Sequence, residues 1–84
     1  MLSAPVIYYN ESDGVIEIAW ELADPGIWNV EVSADGVSGW NRTDTVPHAN
    51  RTFNFVSSGY YRIIGVDVEG DAETAYSNVL NLNF

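Results

Sequence analysis

The tightest constraint on this chain is its alternation of apolar and polar residues, interrupted by turn signals at intervals of about ten residues. In Val15-Ile16-Glu17-Ile18-Ala19-Trp20-Glu21-Leu22, the residues Ile16, Ile18, Trp20 and Leu22 share one face, while Glu17, Ala19 and Glu21 share the other. Successive side chains of a β-strand point to opposite sides, so such a segment buries one whole face only as a strand. Trp28 to Ser33 alternates with Trp28, Val30 and Val32 inward, and Arg51 to Val56 with Phe53 and Phe55 inward. Between such runs lie Asp13-Gly14, Asp24-Pro25-Gly26, Asp35-Gly36, Ser57-Ser58-Gly59 and Glu69-Gly70-Asp71. These are residue types that supply positive φ or a fixed turn.

The remaining segments complete the pattern. Pro5 to Asn10 supplies a first strand, and Val37 to Trp40 a short return strand after the Asp35-Gly36 hairpin. Asn41 to Asn50 is polar, contains Pro47 and reads as a crossing loop. Tyr60 to Val68 is apolar on both faces, the mark of a central strand. Tyr76 to Phe84 closes the chain with Leu80, Leu82 and Phe84 on one face. About seven short strands without a helical period predict an all-β, seven-stranded antiparallel Greek-key sandwich. Its 84 residues make one domain, 1–84, and 46% hydrophobic content supplies a core despite the acidity. There is no internal repeat, linker or low-complexity tract.

Specific residues fall on this order of strands. Val15 to Trp20, followed by Pro25-Gly26-Ile27-Trp28-Asn29-Val30-Glu31-Val32, resembles strands B and C of a fibronectin type III domain. In that family a Trp ends strand B and an aromatic opens strand C. Gly59-Tyr60-Tyr61-Arg62 resembles the approach to strand F, where a Tyr forms a corner. Val66-Asp67-Val68-Glu69-Gly70, then Tyr76-Ser77-Asn78-Val79-Leu80, resembles the F–G hairpin and the entry into strand G. The resemblance covers nearly the whole chain, with an immunoglobulin-like sandwich as the neighbouring alternative. The corner tyrosine stays open. Tyr61 inward would bring Ile63, Gly65 and Asp67 with it, whereas Tyr60 would bring Arg62, Ile64, Val66 and Val68, because a one-residue slip exchanges the faces. No Arg-Gly-Asp triplet occurs, so the resemblance does not imply integrin binding of the best-known kind.

Charge narrows the partners. Twelve Asp and Glu stand against Arg42, Arg51 and Arg62, with no lysine, for a net charge of −9. Nucleic acid is excluded, since phosphate binding needs clustered Lys and Arg. Anionic membrane surfaces are disfavoured for the same reason. Basic partners, cation-rich surroundings or no electrostatic partner remain, and the plainest reading is that the acidity keeps a small β-protein soluble and apart from its copies. Without cysteine there is no disulfide and no thiolate metal site. Met1-Leu2-Ser3-Ala4-Pro5 has neither the basic nor the apolar part of a secretory signal. No run approaches the ~18 apolar residues of a membrane span, so no membrane insertion is expected.

Chemistry is sparse. His48 is the single histidine, beside Pro47, with no serine motif to pair with it, so no catalysis and no cofactor are expected. Glu17, Glu21 and Glu31 read as a solvated sheet face. Asp67, Glu69, Asp71 and Glu73 alternate around Gly70 and offer oxygen ligands suited to calcium, although the spacing is not that of the helical calcium loop. An acidic hairpin tip is the plainer reading. Tyr8, Tyr9, Trp40 and Tyr60 form a candidate aromatic patch for a glycan or a protein, with ordinary packing as the alternative; Trp20 and Trp28 belong to the core. Three sequons, at Asn10, Asn41 and Asn50, fall in expected loops.

Two functional expectations follow. In one, the chain is a structural accessory domain, a decoration or tail component of a bacteriophage virion. In the other, it is an extracellular spacer or an adhesion or glycan-binding domain. Contact is expected through loops at one end, or through the edges of the first and last strands around Tyr8 and Asn81, which are also candidate oligomer edges.

Overall fold

Seven strands pair into two antiparallel sheets in the computed structural model of the chain, which describes residues 4–20, 26–47, 49–55, 57–67 and 69–83. Strands β1 (Val6–Asn10), β2 (Val15–Ala19) and β5 (Thr52–Phe53) form a three-stranded sheet in the order β1-β2-β5. Strands β3 (Ile27–Ser33), β4 (Asn41–Pro47), β6 (Tyr60–Val66) and β7 (Leu80–Asn81) form a four-stranded sheet in the order β4-β3-β6-β7. The chain passes from one sheet to the other after β2, β4 and β5. No helix among the described residues is long and apolar enough to cross a membrane.

The alternation decides what is buried. Ile7, Ile16, Ile18 and Phe53 from the first sheet meet Trp28, Val30, Val46, Tyr61, Ile63 and Leu82 from the second side in one cluster. Each fully buried isoleucine contributes roughly 1.5–3 kcal/mol. Trp20 and Phe55 are half-buried at its margin. The Trp20 ring stands edge-on to Trp28 at 5.4 Å, and Phe55 edge-on to Tyr61 at 6.0 Å. Trp28 lies directly opposite Gly65 on β6, so the bulky indole faces a residue without a side chain.

Of the two tyrosines, Tyr61 is the one that points inward. Its ring is 1% exposed, and its hydroxyl donates to the Ser57 carbonyl at 2.6 Å. Ile63 and Gly65 follow it inward, which sends Tyr60 and Arg62 to the outer face of the four-stranded sheet.

The return strand corrects the sequence reading. Val37 to Trp40 is not a strand, and Asn41 to Pro47, expected as a crossing loop, is β4. Gly36 (φ 78°) and Gly39 (φ 67°) adopt left-handed backbone, which prolongs the loop past the Asp35-Gly36 turn. As an edge strand β4 leaves Asn41 to Thr45 exposed and buries only Val46, so it carries no alternation to read. Its edge is also guarded. Pro47 lacks a donor, the Asp44 carboxylate accepts the Thr45 N–H at 2.8 Å, and the pairing with β3 shifts register between Val30 and Glu31.

Two other strands are shorter than expected. Among the described residues of Arg51 to Val56 only Thr52 and Phe53 join the ladder, and among those of Tyr76 to Phe84 only Leu80 and Asn81. Before β7, side chains replace backbone carbonyls as acceptors, while the Glu73 and Ser77 N–H groups still donate to the Gly65 and Ile63 carbonyls. Thr74 Oγ1 accepts the Gly65 N–H, and Ser77 Oγ accepts the Ile63 N–H, each at 2.9 Å. Asn78 reaches the other sheet: its amide accepts the Ile7 N–H at 2.8 Å and donates to the Ile7 carbonyl at 2.9 Å. One side chain thereby closes the edge of β1 at Ile7, part of an edge expected to receive a partner. Glu21, Leu22, Asp24, Pro25, His48, Val56, Val68 and Phe84 lie outside the described residues.

Candidate functional site

The four-stranded sheet carries a cluster on its outer face. Glu31 on β3 and Arg62 on β6 are cross-strand partners, and both Nε and Nη2 of Arg62 approach Glu31 Oε1 at 2.8 Å. The guanidinium lies 4.1 Å from the Trp40 ring centroid and 3.7 Å from that of Tyr76. The Tyr76 hydroxyl donates to Glu31 Oε2 at 3.2 Å. Burial, and then the Glu31 charge, push the Tyr76 phenol above its ordinary pKa, while Arg62 pulls it the other way. A cation between two aromatic faces, paired to a carboxylate, is a strong arrangement for a sheet surface. Glu31 is therefore not a freely solvated residue: the side chains of Arg62 and Glu31 are only 22% and 16% exposed. Sequence spacing could not show this, because the four residues come from four separate segments.

The four expected patch aromatics do not meet. Tyr8 lies on the outer face of the three-stranded sheet, where its hydroxyl donates to Glu17 Oε1 at 3.3 Å. The Glu17 charge, with smaller help from burial and that bond, raises the Tyr8 phenol. Glu17 also accepts from the Asn10 amide. Tyr9 is the next residue in the strand, so it points the opposite way and packs edge-on against Phe55 at 5.7 Å. Tyr60 opens β6 on the other sheet, and Trp40 immediately precedes β4. A face of Trp40 covers Arg62, and Tyr60 supports the backbone of Gly36, where an added Cβ would lie 2.8 Å from the ring.

The acidic hairpin gathers three of its four residues. Asp67, Glu69 and Asp71 each bring a carboxylate oxygen within 4.8 Å of the others. Glu73 stands apart, with its N–H donated to the Gly65 carbonyl. Three carboxylates so placed suit a hard cation. Asp67 Oδ1 already accepts the N–H groups of Glu69 and Asp71, each at 2.9 Å, so it organises the turn itself.

The Ser33–Gly39 loop is built around Asp35. Its Oδ1 accepts the N–H groups of Val37 and Ser38 at 2.9 Å and the Ser33 hydroxyl at 3.0 Å. The Ser38 N–H, then that of Val37, hold the carboxyl well below the usual range, down to about 2. Ser33 Oγ in turn accepts the N–H groups of Asp35 and Gly36. Nothing in the sequence marked this loop beyond its Asp-Gly turn.

Of the sequons, Asn41-Arg42-Thr43 lies in β4 rather than a loop, and Asn50 is exposed. An open cleft of about 330 Å³ separates the edges of β4 and β5, with Val46, Pro47 and Phe53 among its lining residues. Comparison of the chain with protein-family models, curated proteins and solved structures finds no match.

Proposed function

We propose that the chain is a fibronectin type III-like Greek-key sandwich that acts as a non-catalytic display or binding domain on a larger assembly, as a decoration or tail accessory of the phage type. The order β1-β2-β5 facing β4-β3-β6-β7 supports the fold, as does the inward Tyr61 with its hydroxyl on the Ser57 carbonyl. One observation carries the functional side. The polar groups best placed for chemistry are engaged in holding the protein's own segments: Arg62 with Glu31, Asp35 with its loop, and Asp67 with its turn. The guarded β4 edge and the net charge of −9 support an assembly setting, because both keep closely spaced copies from pairing with one another.

Sedimentation of native source material, with antibody detection of this chain, tests the reading. Recovery with large particles at a fixed ratio to their major protein is the expected result. Recovery in a slow soluble or cell-surface fraction would overturn it in favour of a spacer or adhesion domain.

A further inference from the structure

We infer that the Ser33–Gly39 loop is a preformed docking knob, with Val37 as its apolar tip, for a protein partner that offers a small apolar pocket rimmed by basic side chains. The inference rests on the binding-domain reading above and names the contact. Single exposed apolar residues are common, so the 82% exposure of Val37 would mean little on a loose loop. This loop is not loose. The backbone N–H groups of Asp35, Gly36, Val37 and Ser38 all point inward, to Ser33 Oγ or Asp35 Oδ1. Gly36 rests against the Tyr60 ring so closely that only glycine fits. With those donors turned inward, the tip has an isopropyl group and no backbone N–H at 35–38 left to offer. A partner must therefore bring apolar surface for Val37 and its own donors for the rim. A chain of net charge −9 selects basic donors. Because the loop is already ordered, docking loses little conformational entropy, which is the usual route by which a small contact becomes a useful one.

The test places a photoreactive diazirine side chain at position 37 of the full chain, with position 79 as an exposed control, in native particles. Expected is one protein cross-linked from position 37 alone. Added wild-type chain should compete with it, Val37→Asp should fail to compete, and 1 M salt should weaken it. Asp35→Ala keeps Val37 but frees the loop, and it should compete about tenfold less well than wild type. Equal competition by Val37→Asp, equal labelling from position 79, or no cross-link from position 37 in particles that contain the chain would each overturn the inference. In those cases co-sedimentation would still uphold the assembly reading, whereas a chain absent from particles would defeat that reading itself.

Discussion

The outer faces of the two sheets are held in different ways. On the three-stranded sheet, Tyr8 and Asn10 bind Glu17 across one hairpin, at separations of 9 and 7 residues. On the four-stranded sheet, Arg62 reaches Glu31 across 31 residues, and Tyr76 reaches it across 45. The first network repeats what the β1–β2 register already imposes, and the Glu31–Arg62 pair repeats the β3–β6 register, but Trp40 and Tyr76 join that pair from outside the ladder. The second joins β3, the residue preceding β4, β6 and the segment before β7, which no single ladder connects. A contact that closes a long loop opposes more chain entropy than one inside a hairpin. The outer cluster of the four-stranded sheet should therefore matter more to stability, although both look like surface polar networks.

Arg62→Ala is the sharpest way to break this contrast. It removes two ring contacts and leaves Glu31 half-buried without its cation. A loss of about 2 kcal/mol is expected, or roughly 10 °C in Tm for a domain of this size, measured by thermal unfolding. Asn78→Ala cuts the two bonds that fasten the C-terminal segment to Ile7, and should cost about 1–2 kcal/mol in urea titration. It should also speed amide exchange at Ile7. Tyr8→Phe removes only the local bond to Glu17 and should stay within about 0.5 kcal/mol of wild type. Equal losses from Tyr8→Phe and Arg62→Ala would show that the two faces do not differ in kind.

The smallest effect concerns pH. The Asp35 carboxyl titrates near 2 in the folded chain, below its ordinary 3.8, so its charged form favours folding. That contribution is present above about pH 4 and disappears as pH falls through about 2. Asp35→Asn lacks it at every pH. The Tm difference between wild type and Asp35→Asn should therefore shrink as pH drops from 5 to 2, and a constant difference would contradict the inward bonding of that carboxylate.

Buried strands were legible in the sequence where one face is dry. Ile16 and Ile18, Trp28 and Val30, and Phe53 all occupy the core that their alternation predicts. β4 and the segment before β7 were not legible. β4 buries Val46 alone, so its polarity imitates a loop, and the segment before β7 uses Thr74 and Ser77 hydroxyls where a strand would use backbone. Tyr60 and Tyr61 could not be separated by pattern, because β6 buries Ile64 and Val66 as well as Tyr61 and Ile63. The Arg62 cluster was invisible for another reason. Trp40 and Glu31 were each noticed, but only strand pairing brings them to one guanidinium.

Asn78 has a mechanical consequence. A pull on the C-terminal end meets β7 first, where Leu80 and Asn81 pair with β6 and the Leu82 N–H donates to the Gly59 carbonyl. Behind that short ladder, one amide fastens the segments of Asn78 and Ile7 through two hydrogen bonds. Tension therefore falls on the Asn78 joint only once β7 has left β6. The long pairing of β3 with β6 still resists at that point, so the domain should yield to stretching in steps, from its C-terminal end inward.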